Sequence, residues 1–192
     1  MMSYNKTVNF DQSYIMDEGM GLLFTGNSQG NINKKQAGDF EQKLAAASSG
    51  YRVEKAQLTD MGAMLDLWKA TPGLGVGKGD GKDALHDFMQ RNPSTCLVLR
   101  IDEGLIGTVL GGFDGRRGYI YHLAVHPGYQ GKGYGKVLLN QVIDELKSLG
   151  ALKIHLFVFD DNQTAIGFYY HQGWELRQDI KVFSWDAARD NK

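Results

Sequence analysis

Cysteine is nearly missing from this chain of 192 residues: only Cys96 is present. A disulfide framework within one chain is thereby excluded, and a reducing compartment is expected. An excess of charge is missing too. The 21 Lys and Arg stand against 22 Asp and Glu, a formal net charge of −1. No global field recruits nucleic acid or a membrane surface, so any anion binding must be local. No apolar run approaches the roughly 20 residues of a membrane-spanning helix. No basic stretch followed by an apolar core opens the chain, as a secretory signal would require. The expected location is the cytoplasm. His86, His122, His126, His155 and His171 show no ligand spacing, and with a single cysteine no metal site is expected.

What is present is the composition of an ordinary globular protein, 42% apolar and 22% charged. The length suits one domain with a real core, or one domain plus an arm. Residues 1–50 stand apart. They are rich in Asn, Gln, Gly and Ser, carry one apolar patch at Met20–Phe24, and hold no sustained period. They end in QKLAAASSG, and KLAAA is what two adjacent cloning sites encode when translated. The segment is read as an N-terminal extension, either vector-derived or a flexible arm, and residues 51–192 as the functional domain.

From Tyr51 the pattern sharpens. YRVEKAQL alternates as a strand does. Thr59 or Asp60 can cap a helix through MGAMLDLWKA, with Met61, Met64, Leu65 and Trp68 on one face. Thr71–Gly81 is a loop with five glycines, and Asp83–Gln90 a short helix ended before Pro93. TCLVLRI, LIGTVLGGF and YIYHLAV are strands, separated by the turns DEG and DGRRG. A helix from about Gly133 to Leu149 buries Leu138, Val142, Leu146 and Leu149, with Gly150 at its C-terminal cap. KIHLFVF alternates little, as expected of a strand covered on both faces. NQTAIGFYYHQ is a short helix stopped by Gly173, and WELRQDIKVFSW supplies one or two closing strands. The order β-α-α-β-β-β-α-β-α-β(β) predicts an α/β fold, a mixed sheet with helices on both sides.

Between the YIYHLAV strand and the long helix lies HPGYQGKGYGKVLL, residues 126–139. Gly128, Gly131, Gly133 and Gly135 fall within eight residues there. A helix N-terminus offers free backbone N–H groups and the positive end of its dipole. Glycines let phosphate oxygens approach the backbone with no side chain between. Lys132 and Lys136 add charge, so the stretch is suited to holding phosphate. A nucleotide P-loop needs Ser or Thr after its lysine, and Val137 follows Lys136. A dinucleotide fingerprint opening at Gly131 needs glycine where Lys136 stands. Gln130-x-x-Gly133-x-Gly135 fits instead a (Gln/Arg)-x-x-Gly-x-(Gly/Ala) pattern.

On that pattern, on HLAVHPGYQGKGYGKVLL, on N-x-x-A-x-x-x-Y-Y-x-x-G-W (Asn162 to Trp174) and on element order, residues 51 to about 186 resemble the GNAT N-acetyltransferases. GGFDGRRGYIYHLAVHP is similar to a bacterial branch of that family whose acceptors are undefined. The resemblance implies a mixed, mostly antiparallel central sheet of six to seven strands flanked by about four helices. It implies acetyl-CoA as cosubstrate, no metal, and acetyl transfer to a primary amine by direct attack in a ternary complex. The acceptor is a small amine, an amino acid, an aminoglycoside-like compound or a protein amine, and a homodimer is compatible with the family. Gln130, Gly131, Lys132, Gly133, Tyr134 and Gly135 would cradle the pyrophosphate, with Lys136 nearby. Leu123, Ala124 and Val125 would hydrogen-bond the pantetheine arm, and one of their N–H groups would face the thioester oxygen. Asn162 would contact the cofactor side.

Acetyl transfer needs a neutral amine, a polarised carbonyl and a proton for the departing thiolate. The resemblance puts Tyr169 beside the sulfur as general acid; Tyr170, about 100° around the helix, is the weaker candidate. Relatives that acetylate ribosomal-protein N-termini carry Glu five residues before the helix Asn. Phe157 stands there in this chain, which argues against that activity. His122 in the central strand is the candidate base, with a histidine satisfied by a backbone carbonyl as the alternative. Alternation puts Tyr119 and Tyr121 on the opposite face, where they could hold an ordered water. Thr71–Gly81 is expected to wall the acceptor as a mobile lid, or to be a plain surface loop. Trp68 walls a pocket or fills the core. Arg116 and Arg117 with Asp114 form a turn that attracts an anionic acceptor or is simply solvated. Cys96 reads as a core thiol. A rival function, a coenzyme A-binding sensor or interaction module without turnover, is opposed by the intact Tyr169 and Asn162; a longer acyl group on the same fold is a third reading.

Overall fold

The computed structural model of the chain describes residues 50–187, so the reading of the N-terminal extension falls, Gly50 apart, outside the described residues. In chain order the elements are β1 (Tyr51–Lys55), α1 (Met61–Lys69), α2 (Lys82–Arg91), β2 (Cys96–Ile101), β3 (Gly104–Phe113), β4 (Gly118–Val125), α3 (Tyr134–Ser148), β5 (Ile154–Leu156) and α4 (Gln163–His171). The sheet order is β1-β2-β3-β4-β5. Its first three pairings are antiparallel and β4–β5 is parallel.

The central strands are buried on both faces, which is why β2 and much of β3 read as continuous apolar runs. On one face Met64, Leu67 and Trp68 of α1, with Leu85 and Met89 of α2, pack on Cys96, Val98, Leu110 and Ala124. On the other, Leu138, Leu139, Val142 and Leu146 of α3 pack on Leu97, Leu99, Ile106, Val109 and Ile120. The sheet beneath α3 is pared down by glycine. A Cβ on Gly107 would lie 2.8 Å from Leu138 Cδ1, one on Gly111 2.8 Å from Val142 Cγ2, and one on Gly118 3.0 Å from Leu146 Cδ1. Leu138, Val142 and Leu146 are successive i, i+4 positions of one helical stripe. Three bare sites on the sheet thus receive one row of the helix and bring its N-terminus beside the end of β4.

Several expectations are corrected. The described residues hold five strands, not six or seven. Trp174–Trp185 forms no strand, and Phe183 and Trp185 are 92% and 79% exposed. Strand-forming residues supply local propensity, but a strand exists only where a ladder partner is met. KIHLFVF yields just the three residues of β5, at the sheet edge rather than covered on both faces, and Phe157 and Phe159 beyond it are exposed. Leu149 is 45% exposed because it is the C-cap of α3, past the last turn seated on the sheet. Asp60 occupies the N-cap of α1 without a side-chain cap bond. Its carboxylate instead accepts from the Gln57 N–H and pairs with Arg100.

Candidate active site

β4 and β5 pair only over Gly118–Ile154, Tyr119–His155 and Ile120–Leu156. Beyond Ile120, β4 runs on to Val125 beside β3, while β5 ends at Leu156. The strands part, and the gap opens into a cleft of about 1090 Å³. The β4 edge Tyr121–Val125 forms one wall; Leu156–Phe159 and the inner side of α4 form the other. Leu123, Ala124 and Val125 thus border the cleft on a strand edge with no strand partner on that side among the described residues, and such an edge offers backbone donors and acceptors to an extended ligand.

The loop before α3 closes a third side. Gln130, Gly131, Gly133, Tyr134, Gly135 and Lys136 all line it. Gly131 has φ 75° and Gly133 φ 87°, left-handed backbone that side chains resist. A Cβ on either would meet no atom within 4 Å, so the backbone is open there. The Val137 N–H bonds the Gly133 carbonyl at 3.1 Å, and the amides of Tyr134, Gly135 and Lys136 before it have no partner within the helix. No acidic residue occupies the first turn, so the positive end of the dipole is not offset. Gln130 Nε2 donates to the Val125 carbonyl at 2.9 Å and ties the loop to the end of β4. Lys132 is not on the cleft wall; its ammonium lies 5.1 Å from the centre of the Tyr129 ring. Convergent N–H donors, bare backbone and one lysine fit the pyrophosphate of coenzyme A. Among the described residues no group of three or more His, Cys, Asp or Glu could hold a metal ion.

On α4, Asn162 is the N-cap: its Oδ1 accepts from the Ala165 N–H at 3.0 Å, while its Nδ2 donates to the Gly73 carbonyl at 3.1 Å. It lines the cleft while holding the helix start to the glycine-rich loop. Tyr169 also lines the cleft, with its ring 5.2 Å from that of Phe168 and 5.7 Å from that of Trp174. Burial pushes its phenol up to about 12, so the hydroxyl keeps its proton at any ordinary pH. Tyr170 is exposed and off the cleft wall.

His122 owes its place to a bulge. The β3–β4 register runs Thr108–Ala124 and then Leu110–Tyr121, so Val109 alone faces His122 and Leu123. His122 has φ 47°, a conformation costly for any residue but glycine. The extra residue resets the alternation. Ile120, Leu123 and Val125 pack toward α3, whereas Tyr121 meets Phe88 of α2, centroids 5.8 Å apart, and His122 meets Trp68 of α1. The expectation that Tyr119 and Tyr121 oppose His122 is thereby corrected: Tyr121, stacked with Tyr119, shares its side. The imidazole stacks on the Trp68 indole, centroids 4.2 Å apart and planes 25° apart. Trp68 Nε1 donates to Thr108 Oγ1 at 2.9 Å, and that hydroxyl donates to the His122 carbonyl at 3.2 Å. Trp68, 1% exposed, is therefore core and also the platform beneath His122.

Sequence reasoning passed over Asp80, whose Oδ1 lies 2.6 Å from His122 Nε2. The available signal was an acid flanked by glycines in the loop expected to wall the acceptor. Thr71–Gly75 of that loop line the cleft. Arg116 and Arg117 stand in an exposed turn whose Asp114 Oδ1 accepts both their N–H groups, at 2.8 and 2.6 Å; these bonds hold the Asp114 carboxyl below its ordinary range. Cys96 is buried, and burial pushes its thiol up to about 12, which leaves no nucleophilic thiolate. Among the described residues no helix is long and apolar enough to cross a membrane.

A mixed sheet parting between its fourth and fifth strands, above a glycine cradle at a helix N-terminus, is the fold of known acetyltransferases. The PaiA N-acetyltransferase from Thermoplasma acidophilum, solved in complex with coenzyme A, matches with a TM-score of 0.61 at 21% identity, over 66% of this chain and 91% of that one. That likeness shows the fold. Residues 62–174 match the model of the acetyltransferase (GNAT) family, and the chain belongs to that family as a GNAT acetyltransferase. An acetyltransferase of Pectobacterium atrosepticum is 34% identical over 110 residues, 57% of this chain and 77% of the relative. An uncharacterized N-acetyltransferase of Yersinia pestis is 34% identical over 94 residues, 49% of this chain and 67% of the relative.

Proposed function

We propose that the chain transfers an acetyl group from acetyl-CoA to a primary amine, by direct attack with both substrates bound. One observation carries the reading: a single cleft joins a free β4 edge, an open glycine cradle, and two side chains able to handle protons, Tyr169 and His122. Acetyl-CoA supplies the activated acyl thioester. The loop from Gln130 to Gly135 cradles the pyrophosphate with its open backbone and the free amides at the start of α3, beside Lys136; Lys132 adds charge from outside the wall. Leu123, Ala124 and Val125 bind the pantetheine, with Asn162 bordering it. One N–H of that strand edge faces the acyl oxygen, where a fixed donor counts most as negative charge develops. Tyr169 holds a proton for the departing sulfur, and His122 takes one from the acceptor ammonium. With His122 as the base, the acceptor approaches from the α1–α2 side of the sheet.

The test is amine-dependent thiol release from acetyl-CoA, screened with putrescine, phenylalaninamide, kanamycin and a peptide with a free N-terminus. Release with formation of the N-acetyl product is expected for at least one class. Tight coenzyme A binding without release for any amine would favour a binding module without turnover.

A further inference from the structure

We propose that Asp80 is the positioning residue of His122, and that the two form a proton-accepting dyad on the acceptor side of the cleft. This rests on the reading of His122 as the base. The two residues are far apart in sequence, yet His122 Nε2 and Asp80 Oδ1 lie 2.6 Å apart, with side chains only 13% and 20% exposed. Asp80 is itself oriented, since its Oδ2 accepts the Gly77 N–H at 2.6 Å. The segment that carries it is anchored at the opposite wall. There the Gly73 carbonyl accepts from Asn162, and a Cβ on Gly73 would come within 2.6 Å of that amide nitrogen. His122 is held against its φ of 47° by Thr108 at its carbonyl and by Trp68 under its ring. A strained backbone kept in place by this many partners, beside a cleft, is where function concentrates.

The pairing selects a tautomer. A carboxylate accepts and cannot donate, so the ring proton sits on Nε2 and the lone pair on Nδ1. Nδ1 takes one proton from R–NH3+, leaving R–NH2 to form the C–N bond. Asp80 and the π-face of Trp68 stabilise the imidazolium until it passes that proton to water. The second amine proton, lost as the amide forms, replaces the one Tyr169 gives to sulfur as the C–S bond breaks. Ammonium and thioester thus become amide, thiol and one released proton.

The test compares Asp80→Asn and His122→Gln with the wild-type protein. In Asp80→Asn the new amide can donate to Nε2, which moves the ring proton to Nδ1 and blocks its lone pair. Ring 15N NMR of the neutral His122 imidazole should show the proton on Nε2 in the wild type and on Nδ1 in the variant. Calorimetry should give coenzyme A affinity within about two-fold of wild type. With the amine found by the screen, kcat should fall by roughly 10²–10⁴-fold while KM for acetyl-CoA holds. An unchanged tautomer in Asp80→Asn makes Asp80 a structural contact and overturns the proposal. So does a wild-type kcat in Asp80→Asn when His122→Gln is impaired, and the base assignment then stands. A wild-type kcat in His122→Gln removes the base assignment and the dyad with it.

Discussion

Tyr169→Phe deletes one oxygen and keeps the ring packed between Phe168 and Trp174. Two measurements then separate an acid from a packing residue. The first is stability against pH. Burial raises the phenol from 10 to about 12. A folded pKa above the unfolded one adds stability that is complete below pH 10 and is lost as pH rises through 12. That rise corresponds to about 3 kcal/mol in full, of which roughly 2 kcal/mol is gone by pH 12. The phenylalanine variant lacks this titration. Urea unfolding at pH 9 and pH 12 should therefore show the wild type losing about 2 kcal/mol more than the variant. Cys96, whose thiol burial also raises to about 12, is common to both proteins and cancels. The second measurement is turnover. Thiol release near pH 8 should fall by roughly 10²–10⁴-fold in kcat, the usual worth of a positioned acid. Coenzyme A affinity should stay level, because the hydroxyl acts only as the carbon–sulfur bond breaks. With a phenol protonated up to about 12, no alkaline limb of the rate profile should come from Tyr169. Equal kcat and equal affinity in the two proteins would refute the assignment and make Tyr169 an anchor of α4.

Gly133→Ala places a methyl at φ 87°, where no other atom lies within 4 Å of it. The backbone penalty is about 1–2 kcal/mol, and calorimetry should find coenzyme A affinity down by about tenfold or more; unchanged affinity in a folded variant would remove the cradle. Lys136 lines the cleft and Lys132 does not. Lys136→Ala should therefore weaken coenzyme A binding and flatten its salt dependence more than Lys132→Ala does, and equal effects in a titration at several ionic strengths would contradict the geometry. Leu138 is fully buried against the bare site of Gly107. Leu138→Ala should cost about 2–5 kcal/mol in urea unfolding, and a loss well under about 1 kcal/mol would contradict that seating.

The sequence by itself determined what depends on neighbours along the chain. Alternating and continuous apolar runs placed β1 to β4, the 3.6-residue stripe placed α3, and the stretch from Gly128 to Gly135 marked an open, bare loop at a helix N-terminus before any packing was known. A single cysteine in an apolar run was enough to read Cys96 as core. Tertiary structure decided what depends on a partner distant in sequence. A bulge exists only relative to the facing strand, so period-two alternation could not foresee that His122 and Tyr121 share a side. The bareness of Gly107, Gly111 and Gly118 acquires a purpose only with the stripe of α3 laid over them. Trp174–Trp185 was expected to give one or two closing strands but meets no ladder, because pairing is a property of two segments. Asp80 and His122 lie in different elements, and no local pattern encodes a 2.6 Å contact between them. It arises because the α1–α2 loop is drawn across the cleft, bound to Asn162 at one end and to the bulged strand at the other.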